Sequence, residues 1–544
     1  MTGRIAASRW LGLGCAAVLL CVGCGEEGRT RLLTRFGSPE AQFELARRYA
    51  TGEGVARRPA EARRWYLRAA ERGHVESQIA LAASYATEGE LGPANPEEAA
   101  RWFRAAAEAG ALEAQQELAR RYLEADGVKK DAREAIRWLE AAATQGSLEA
   151  QTQLGDLYTG RHGVLKDYGA ATRWYRMAAE QGNARAQNAL GLLYISTFGP
   201  PPDPAQAAIW IRKAAEQGYA PAQLNLGVLY VSGLGVEPDA ALAVEWISKS
   251  IEQGHIPAVL ELARLYRDGK GVERDPAASV SWYRKAAELG DSEGSLRLGE
   301  AYEQGLGVDA DPSAALAWYR AAADQGSAEA QYKMGEFYRD GKGVPRDAAQ
   351  AFEWIRSAAL QGHPAAQNTL GFLYERGEGT DADPVAAAKW YRRAASAGSA
   401  EGALNLGLAY RRGTGLERNQ IEAVRWIRVA AEAGQADAQL VLGILYDSGE
   451  GVDKNVEQGV LWVQRAADQG HGPAQLRLGQ IHEQGQGVKQ DLAVAHMWMT
   501  LSAEAGMPGA AANRDRLARR LSAQQLARSR QLANEWRARA RRSD

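Results

Sequence analysis

Residues 327–362 read SAEAQYKMGEFYRDGKGVPRDAAQAFEWIRSAALQG, and a unit of this length and pattern recurs along most of the chain. In its first part Ala330, Met334 and Tyr338 follow one another at intervals of four, which predicts an amphipathic helix with one apolar stripe. The alanines around Trp354 give the last part a similar stripe. The G-K-G-V stretch between them predicts a turn. The stretch therefore predicts a helix–turn–helix unit.

Tryptophan marks the length of the unit. Twelve tryptophans occur one after another at a spacing of 36 residues, and Trp65 precedes them by 37. A fixed period of this size is typical of stacked supersecondary units, and 544 residues are too many for one compact core. We expect about thirteen repeats. The tryptophans in phase are Trp102, Trp138, Trp174, Trp210, Trp246, Trp282, Trp318, Trp354, Trp390, Trp426, Trp462 and Trp498.

The A-Q-x-x-L-G-x-x-Y first helix, the G-x-G-V turn and the A-x-x-W-x-x-x-A-A-x-x-G second helix resemble the Sel-one-like repeat family, a relative of the tetratricopeptide repeat. The resemblance covers about residues 39–506. It implies an all-α fold, a right-handed α/α superhelical solenoid whose first helices line a concave face. It also implies an adaptor role in signalling, secretion, envelope assembly or host interaction.

The period stops after Gly506, and residues 507–544 are rich in arginine. Because the last repeat of a solenoid needs a polar outer face, we predict that this segment forms a C-terminal helical cap. The alternative is a tail that binds phosphate or lipid headgroups, since basic clusters also attract anions.

The N-terminus has the features of an export signal. Arg4 and Arg9 precede an apolar run over residues 10–22 that is short for a membrane span, so residues 1–23 are predicted to be a signal peptide. Residues 24–38 form a polar linker between this signal and the first repeat.

Gly23-Cys24 resembles the end of a bacterial lipobox, although Cys21 stands where such motifs usually carry leucine. The resemblance implies lipidation of Cys24 and, through the lipid, a membrane anchor. The sequence thus predicts an exported protein held at the periplasmic or extracellular face of a membrane. An ordinary signal peptide cleaved nearby is the alternative.

Composition and motif searches argue against several functions. The net charge of −2 indicates no nucleic-acid partner, and the only cysteines are Cys15, Cys21 and Cys24, so the repeat body has no thiol chemistry. The histidines do not cluster, and no nucleophile elbow or phosphate loop is found. We predict no cofactor, no metal site and no enzymatic activity.

One column of the predicted first helix suggests a binding surface. At the position of Glu336 other repeats carry apolar residues in two runs, and those from adjacent repeats should form contiguous strips. The alternative is that curvature of the superhelix buries this column. The candidate partner-binding residues are Leu192, Val228, Phe372, Leu408 and Ile444 in the column, with Asn225, Thr369, Asn405 and Val441 one turn away.

The sequence therefore predicts a non-enzymatic scaffold of the bacterial cell envelope that binds a partner protein or peptide on its concave face. An envelope polysaccharide- or peptidoglycan-associated binding or assembly factor is the second hypothesis. A β-lactam-binding or β-lactam-hydrolysing enzyme is the third, because the resembling family includes cysteine-rich secreted members with that property, yet the repeat body lacks their cysteines.

Overall fold

The computed structural model describes residues 37–89 and 93–543, and this part of the chain contains 28 α-helices. A short 3₁₀ turn, Arg161–Gly163, follows the seventh helix. The helices are α1 Pro39–Thr51, α2 Pro59–Glu71, α3 Val75–Ala86, α4 Pro96–Glu108, α5 Leu112–Glu124, α6 Ala132–Thr144, α7 Leu148–Tyr158, α8 Tyr168–Glu180, α9 Ala184–Ile195, α10 Pro204–Glu216, α11 Ala220–Ser232, α12 Ala240–Glu252, α13 Ile256–Asp268, α14 Pro276–Glu288, α15 Ser292–Gln304, α16 Pro312–Asp324, α17 Ala328–Asp340, α18 Ala348–Leu360, α19 Pro364–Arg376, α20 Pro384–Ser396, α21 Ala400–Arg412, α22 Gln420–Glu432, α23 Ala436–Ser448, α24 Val456–Asp468, α25 Gly472–Gln484, α26 Leu492–Glu504, α27 Ala510–Ala518 and α28 Ala523–Ser543.

Helices α1 to α26 form thirteen pairs, in which the odd-numbered helix is the first of a repeat and the even-numbered helix is the second. The predicted all-α solenoid of helix–turn–helix repeats is confirmed. The chain divides into two compact units: the first extends to Ala258 and includes Lys270–Val272, and the second comprises Val259–Gly269 and everything from Glu273 onward.

The helix ends follow from short polar residues and glycine. Ser327 Oγ accepts a hydrogen bond from the Ala330 amide (3.3 Å) at the start of α17. At the end of that helix Gly341 adopts a left-handed conformation (φ 74°), and its amide donates to the Phe337 carbonyl (2.8 Å). A carboxylate of Asp347 then caps α18. These contacts satisfy backbone groups that the ends of α17 and the start of α18 would otherwise leave unpaired.

A buried glutamine joins three helices in six of the thirteen repeats. Gln331 Nε2 donates to the carbonyl of Ala323 (3.3 Å) in the preceding repeat, and its Oε1 accepts from Gln361 Nε2 (2.8 Å) at the end of its own repeat. Such buried amide bonds fix the register of neighbouring helices. The same glutamine-to-glutamine bond joins Gln145 to Gln115, Gln181 to Gln151, Gln217 to Gln187, Gln253 to Gln223 and Gln469 to Gln439.

A helical glycine allows the two helices of a repeat to pack closely. A Cβ at Gly335 would overlap Ile355 Cγ1, and a Cβ at Gly371 would lie 2.7 Å from Tyr391 Cδ1. These distances are shorter than van der Waals contact, so a larger residue would force the helices apart.

The repeated tryptophans differ in how deeply they are buried. Trp138 is buried, whereas Trp174, Trp246 and most of the others are only half-buried. Cations lie over many of their rings, as where Lys249 Nζ lies 4.2 Å from the centre of the Trp246 ring. They therefore serve partly as cation–π platforms.

Helix α28 is the capping helix, and it packs on the last repeat. Trp536 meets Trp498 edge to face with ring centres 6.3 Å apart, and buried His496 Nδ1 lies 2.8 Å from Ser529 Oγ. Several arginines of the cap bind carboxylates of repeat 13, which favours capping over an anion-binding tail. These pairs are Arg516 and Arg520 with Glu483, Arg528 with Asp491 and Arg537 with Glu504.

The predicted signal peptide, Cys24 and linker residues 24–36 lie outside the described residues. Among the residues that are described, none of the helices is both long and apolar enough to cross a membrane.

Candidate functional site

The predicted column of first-helix residues is open to solvent at four of its five apolar positions. In the first unit Leu192 on α9 is 43% exposed and Val228 on α11 is 36% exposed. In the second unit Phe372 on α19 and Ile444 on α23 are 40% and 38% exposed, whereas Leu408 on α21 is partly buried. The neighbouring repeats therefore do not bury this column.

We call Phe372, Leu408 and Ile444 the long strip, and Leu192 and Val228 the short strip. The long strip consists of one residue from each of three consecutive first helices, and the short strip of one residue from each of two. A row of this kind offers apolar contacts to an amphipathic helix or an extended segment laid across the helices.

A pair of asparagines joins the first helices beneath each strip. Asn225 Nδ2 donates to Asn188 Oδ1 (2.9 Å) under the short strip, and Asn405 Nδ2 donates to Asn368 Oδ1 (2.9 Å) under the long strip. The predicted rim residues Asn225 and Asn405 therefore hold neighbouring first helices together.

The sequence prediction missed Asn188 and Asn368. The available signal was asparagine in place of the apolar residue that usually follows the A-Q pair.

The two remaining predicted residues lie beside the long strip and are also used internally. Thr369 Oγ1 is 3.4 Å from the Tyr332 hydroxyl. Val441 is partly buried and, like Leu408, packs against the core formed around Leu442. Thr369 and Val441 therefore contact other parts of the protein. Phe372 and Ile444 are the most exposed residues of the strip.

Charged side chains border the long strip. The Arg376 guanidinium lies 5.5 Å from the centre of the Phe372 ring, and Arg411 pairs with Glu450 (2.9 Å). The buried hydroxyl of Tyr391 donates to Glu375 (2.6 Å); burial and this carboxylate raise the pKa of Tyr391 above its usual value, so the hydroxyl stays a donor.

Beyond the long strip, the same face carries ion pairs. In repeat 9 Lys333 Nζ lies 3.5 Å from Glu336 and 3.6 Å from Glu303, and in repeat 13 Arg477 pairs with Asp447 (2.8 Å). The strip is therefore an apolar segment with a polar boundary at each end. Patches of this composition are typical of protein-binding surfaces.

The histidines act at helix starts and in packing. His363 Nδ1 accepts from the Ala366 amide (3.1 Å), while its Nε2 lies 2.9 Å from Glu329. His255 Nδ1 lies 2.9 Å from Ser250 Oγ, and burial lowers the pKa of His255. Within the described ranges, no group of three or more His, Cys, Asp or Glu side chains could hold a metal ion.

Comparison with protein families gives a match along nearly the whole described chain. The model of the Sel1 repeat matches residues 39–74, 75–110, 112–147, 148–183, 184–219, 220–255, 256–291, 292–327, 328–363, 364–399, 400–435, 436–471 and 472–507.

The chain is also similar to proteins of known structure. The chain is 35% identical to c5321, a protective antigen of uropathogenic Escherichia coli with an SLR fold; the match covers 80% of this chain and 94% of that one, with a TM-score of 0.53. It is 33% identical to a Sel1 repeat protein from Oxalobacter formigenes, over 57% of this chain and 90% of that one, with a TM-score of 0.47. A comparison with curated proteins gave no match.

Proposed function

The chain belongs to the Sel1 repeat family, whose repeats generally serve as protein-interaction scaffolds, and from this premise we propose that it is a non-enzymatic scaffold of the bacterial cell envelope. Its partner is a protein or peptide segment with an apolar face. The long strip binds that segment, and the short strip of the first unit is a separate, smaller binding surface.

The exposure of Phe372 and Ile444 is the observation that carries this proposal. Apolar side chains that remain in water after folding gain about 25 cal/mol for each Å² that a partner covers. The paired charges in repeats 9 and 13 gain little from a partner, because losing their water offsets the attraction. We therefore place the main contact on repeats 10 to 12.

The double variant Phe372→Asp/Ile444→Asp tests the surface. Both side chains are exposed, so the fold should persist while two charges disrupt the apolar contact. We expect the partner recovered after chemical cross-linking in cells to fall by at least about tenfold, the equivalent of 1.4 kcal/mol. Quantitative mass spectrometry of purified complexes gives the readout, and circular dichroism checks helix content.

Ile421→Asp/Leu461→Asp is the matched control, since both residues are exposed apolar side chains of the same unit outside the strip. This variant should recover the partner as the wild type does. Equal loss in both variants, or no loss in the strip variant, would contradict the proposed surface.

The envelope location is proposed from the export signal and from Cys24. The relative from uropathogenic Escherichia coli is a protective antigen, which supports a location that the host can reach. Cys24→Ser should release the protein from the membrane fraction, whereas Cys21→Ser should leave it there. Membrane retention of the Cys24→Ser protein would exclude the lipid anchor.

A further inference from the structure

The turns of neighbouring repeats normally pack tightly on one another. In eight repeats the second glycine of the G-x-G turn lies against the first residue of the preceding repeat's second helix; a Cβ at Gly343, for instance, would be 2.6 Å from the Pro312 carbonyl carbon. The packed pairs are Gly127 with Pro96, Gly235 with Pro204, Gly307 with Pro276, Gly343 with Pro312, Gly379 with Ala348, Gly415 with Pro384, Gly451 with Gln420 and Gly487 with Val456.

The turn of repeat 4 does not make this contact. A Cβ added to Gly163 would meet no atom within 4 Å. Helix α7 ends early, at Tyr158, and the turn glycines Gly160 and Gly163 stand three residues apart instead of two. His162 between them adopts a left-handed conformation (φ 53°). The turn therefore does not close on the start of α6.

The space left open is a groove of about 1070 Å³ within the first unit. Its apolar lining includes Val128, Ile136, Val164 and Leu165. Leu165 is 89% exposed, the largest exposure among the large apolar side chains of the described chain. An isoleucine and two valines beneath an exposed leucine give the groove a surface that gains free energy when it is covered.

Five cations line the same groove: Lys129, Lys130, Arg133, Lys166 and Arg104, whose guanidinium donates to the Tyr122 hydroxyl (2.6 Å). All five side chains are exposed, and in the described part of the chain none of them forms a salt bridge. The groove thus presents five cations, none of which is paired in a salt bridge.

Three carboxylates also line the groove, and each accepts a hydrogen bond from a backbone amide or pairs with an arginine. Asp131 Oδ1 accepts from the amide of Arg133 (2.9 Å), and Asp167 Oδ1 accepts from the amide of Ala170 (2.8 Å), so both cap helices. Glu134 pairs with Arg137 (3.3 Å). With five cations and three carboxylates in its lining, the groove has an excess of two positive charges.

We propose that this groove binds an extended acidic segment of a partner protein, with its carboxylates at the lysines and an apolar side chain against Leu165. A cleft between two loops encloses a peptide, whereas a flat lipid surface would touch only its rim. The chain's own segment 25–36 does not match, because it carries Glu26 and Glu27 against three arginines.

This groove is separate from the long strip, so the two proposals can fail independently. The probe is a short fluorescent peptide of alternating glutamate and leucine, measured by fluorescence anisotropy against the full chain. The same peptide with lysine in place of glutamate, and vesicles of equal parts phosphatidylglycerol and phosphatidylcholine, are measured in parallel.

We expect the acidic peptide to bind and the basic one not to bind. The triple variant K129E/K130E/K166E should weaken binding by at least about tenfold, because attraction becomes repulsion at three positions. Leu165→Asp, at a site too exposed to affect folding, should weaken it several-fold. The control K454E/K489E reverses lysines at the equivalent turn positions of repeats 12 and 13 and should bind as the wild type does.

Three results would overturn the proposal: no binding of the acidic peptide, equal affinity in the triple variant and the wild type, or equal binding of the basic peptide. Vesicle binding that the triple variant loses, with no peptide binding, would assign the groove to anionic lipid. None of these outcomes depends on Phe372 or Ile444.

Discussion

Repeats 9 and 10 share a scaffold but present different surfaces. Gly335 and Gly371 allow the same close packing of the second helix, yet the next residue is Glu336 in one repeat and Phe372 in the other. Glu336 has Lys333 as a partner, whereas Phe372 is an exposed apolar side chain. The repeated residues thus build the scaffold, and the residues that vary between repeats decide what each part of it can bind.

The largest expected effect is a loss of folding stability when the close helix packing beneath either surface is disrupted. Gly335→Val and Gly371→Val each place a side chain where Ile355 or Tyr391 now packs, which should cost about 1–3 kcal/mol in the free energy of unfolding. Thermal denaturation should show a similar drop for both. Leu360→Ala, at an exposed position between them, should leave the melting temperature nearly unchanged. A drop in only one of the glycine variants would mean that the two scaffolds differ.

A smaller effect on folding stability distinguishes the contacts that join neighbouring first helices in repeats 9 and 11. Lys333 and Asn405 occupy the same position in repeats 9 and 11, but Lys333 forms ion pairs and Asn405 donates to Asn368. Asn405→Ala should cost about 1 kcal/mol, since it removes an inter-repeat hydrogen bond.

Lys333→Ala should cost about 0.5 kcal/mol or less and lose this effect in high salt. Denaturant titrations at two salt concentrations measure both variants. A salt-dependent cost for Asn405→Ala would contradict the assignment.

The contact between the cap and repeat 13 includes a titratable side chain, His496. Burial, with Arg514 and Arg530 nearby, lowers the pKa of His496, and burial also lowers that of His482. A histidine with a lowered pKa stabilises the folded state above its unfolded pKa of about 6.5, and this contribution is lost as pH falls through the folded pKa.

Hydrogen exchange in α28, corrected for intrinsic rates, should therefore accelerate between pH 7.5 and 5. His496→Gln should reduce that acceleration. An unchanged pH dependence in this variant would show that His496 does not control the docking of the cap.

The repeats could be predicted well from the sequence, because the same packing contacts recur in each repeat and require the same residues at a fixed spacing. Trp354 and its equivalents fixed the length of the unit, and the alanines and glycines around them fixed the helices. The burial of the tryptophans was less predictable, because the repeat pattern gives their spacing and not their exposure. The covering cations did have a sequence signal, since Lys249 stands three residues after Trp246 on the same helix.

Contacts between repeats were the least predictable. The bond from Asn405 to Asn368 joins residues 37 positions apart, and their approach depends on how two repeats stack. The groove beside Leu165 arises because the turn of repeat 4 does not pack on α6. The structure shows this difference by comparison with the eight turns that do pack on the preceding repeat. The spacing of Gly160 and Gly163 was its sequence signal.

Photo-cross-linking from one column of first-helix positions tests the central claim most directly. A photoreactive residue is placed in turn at positions 300, 336, 372 and 444, and its cross-links in cells are identified by mass spectrometry. Binding on the long strip predicts one common partner from positions 372 and 444 and none from 300 and 336. Equal cross-linking from all four positions, or cross-linking from 300 and 336 alone, would contradict the account.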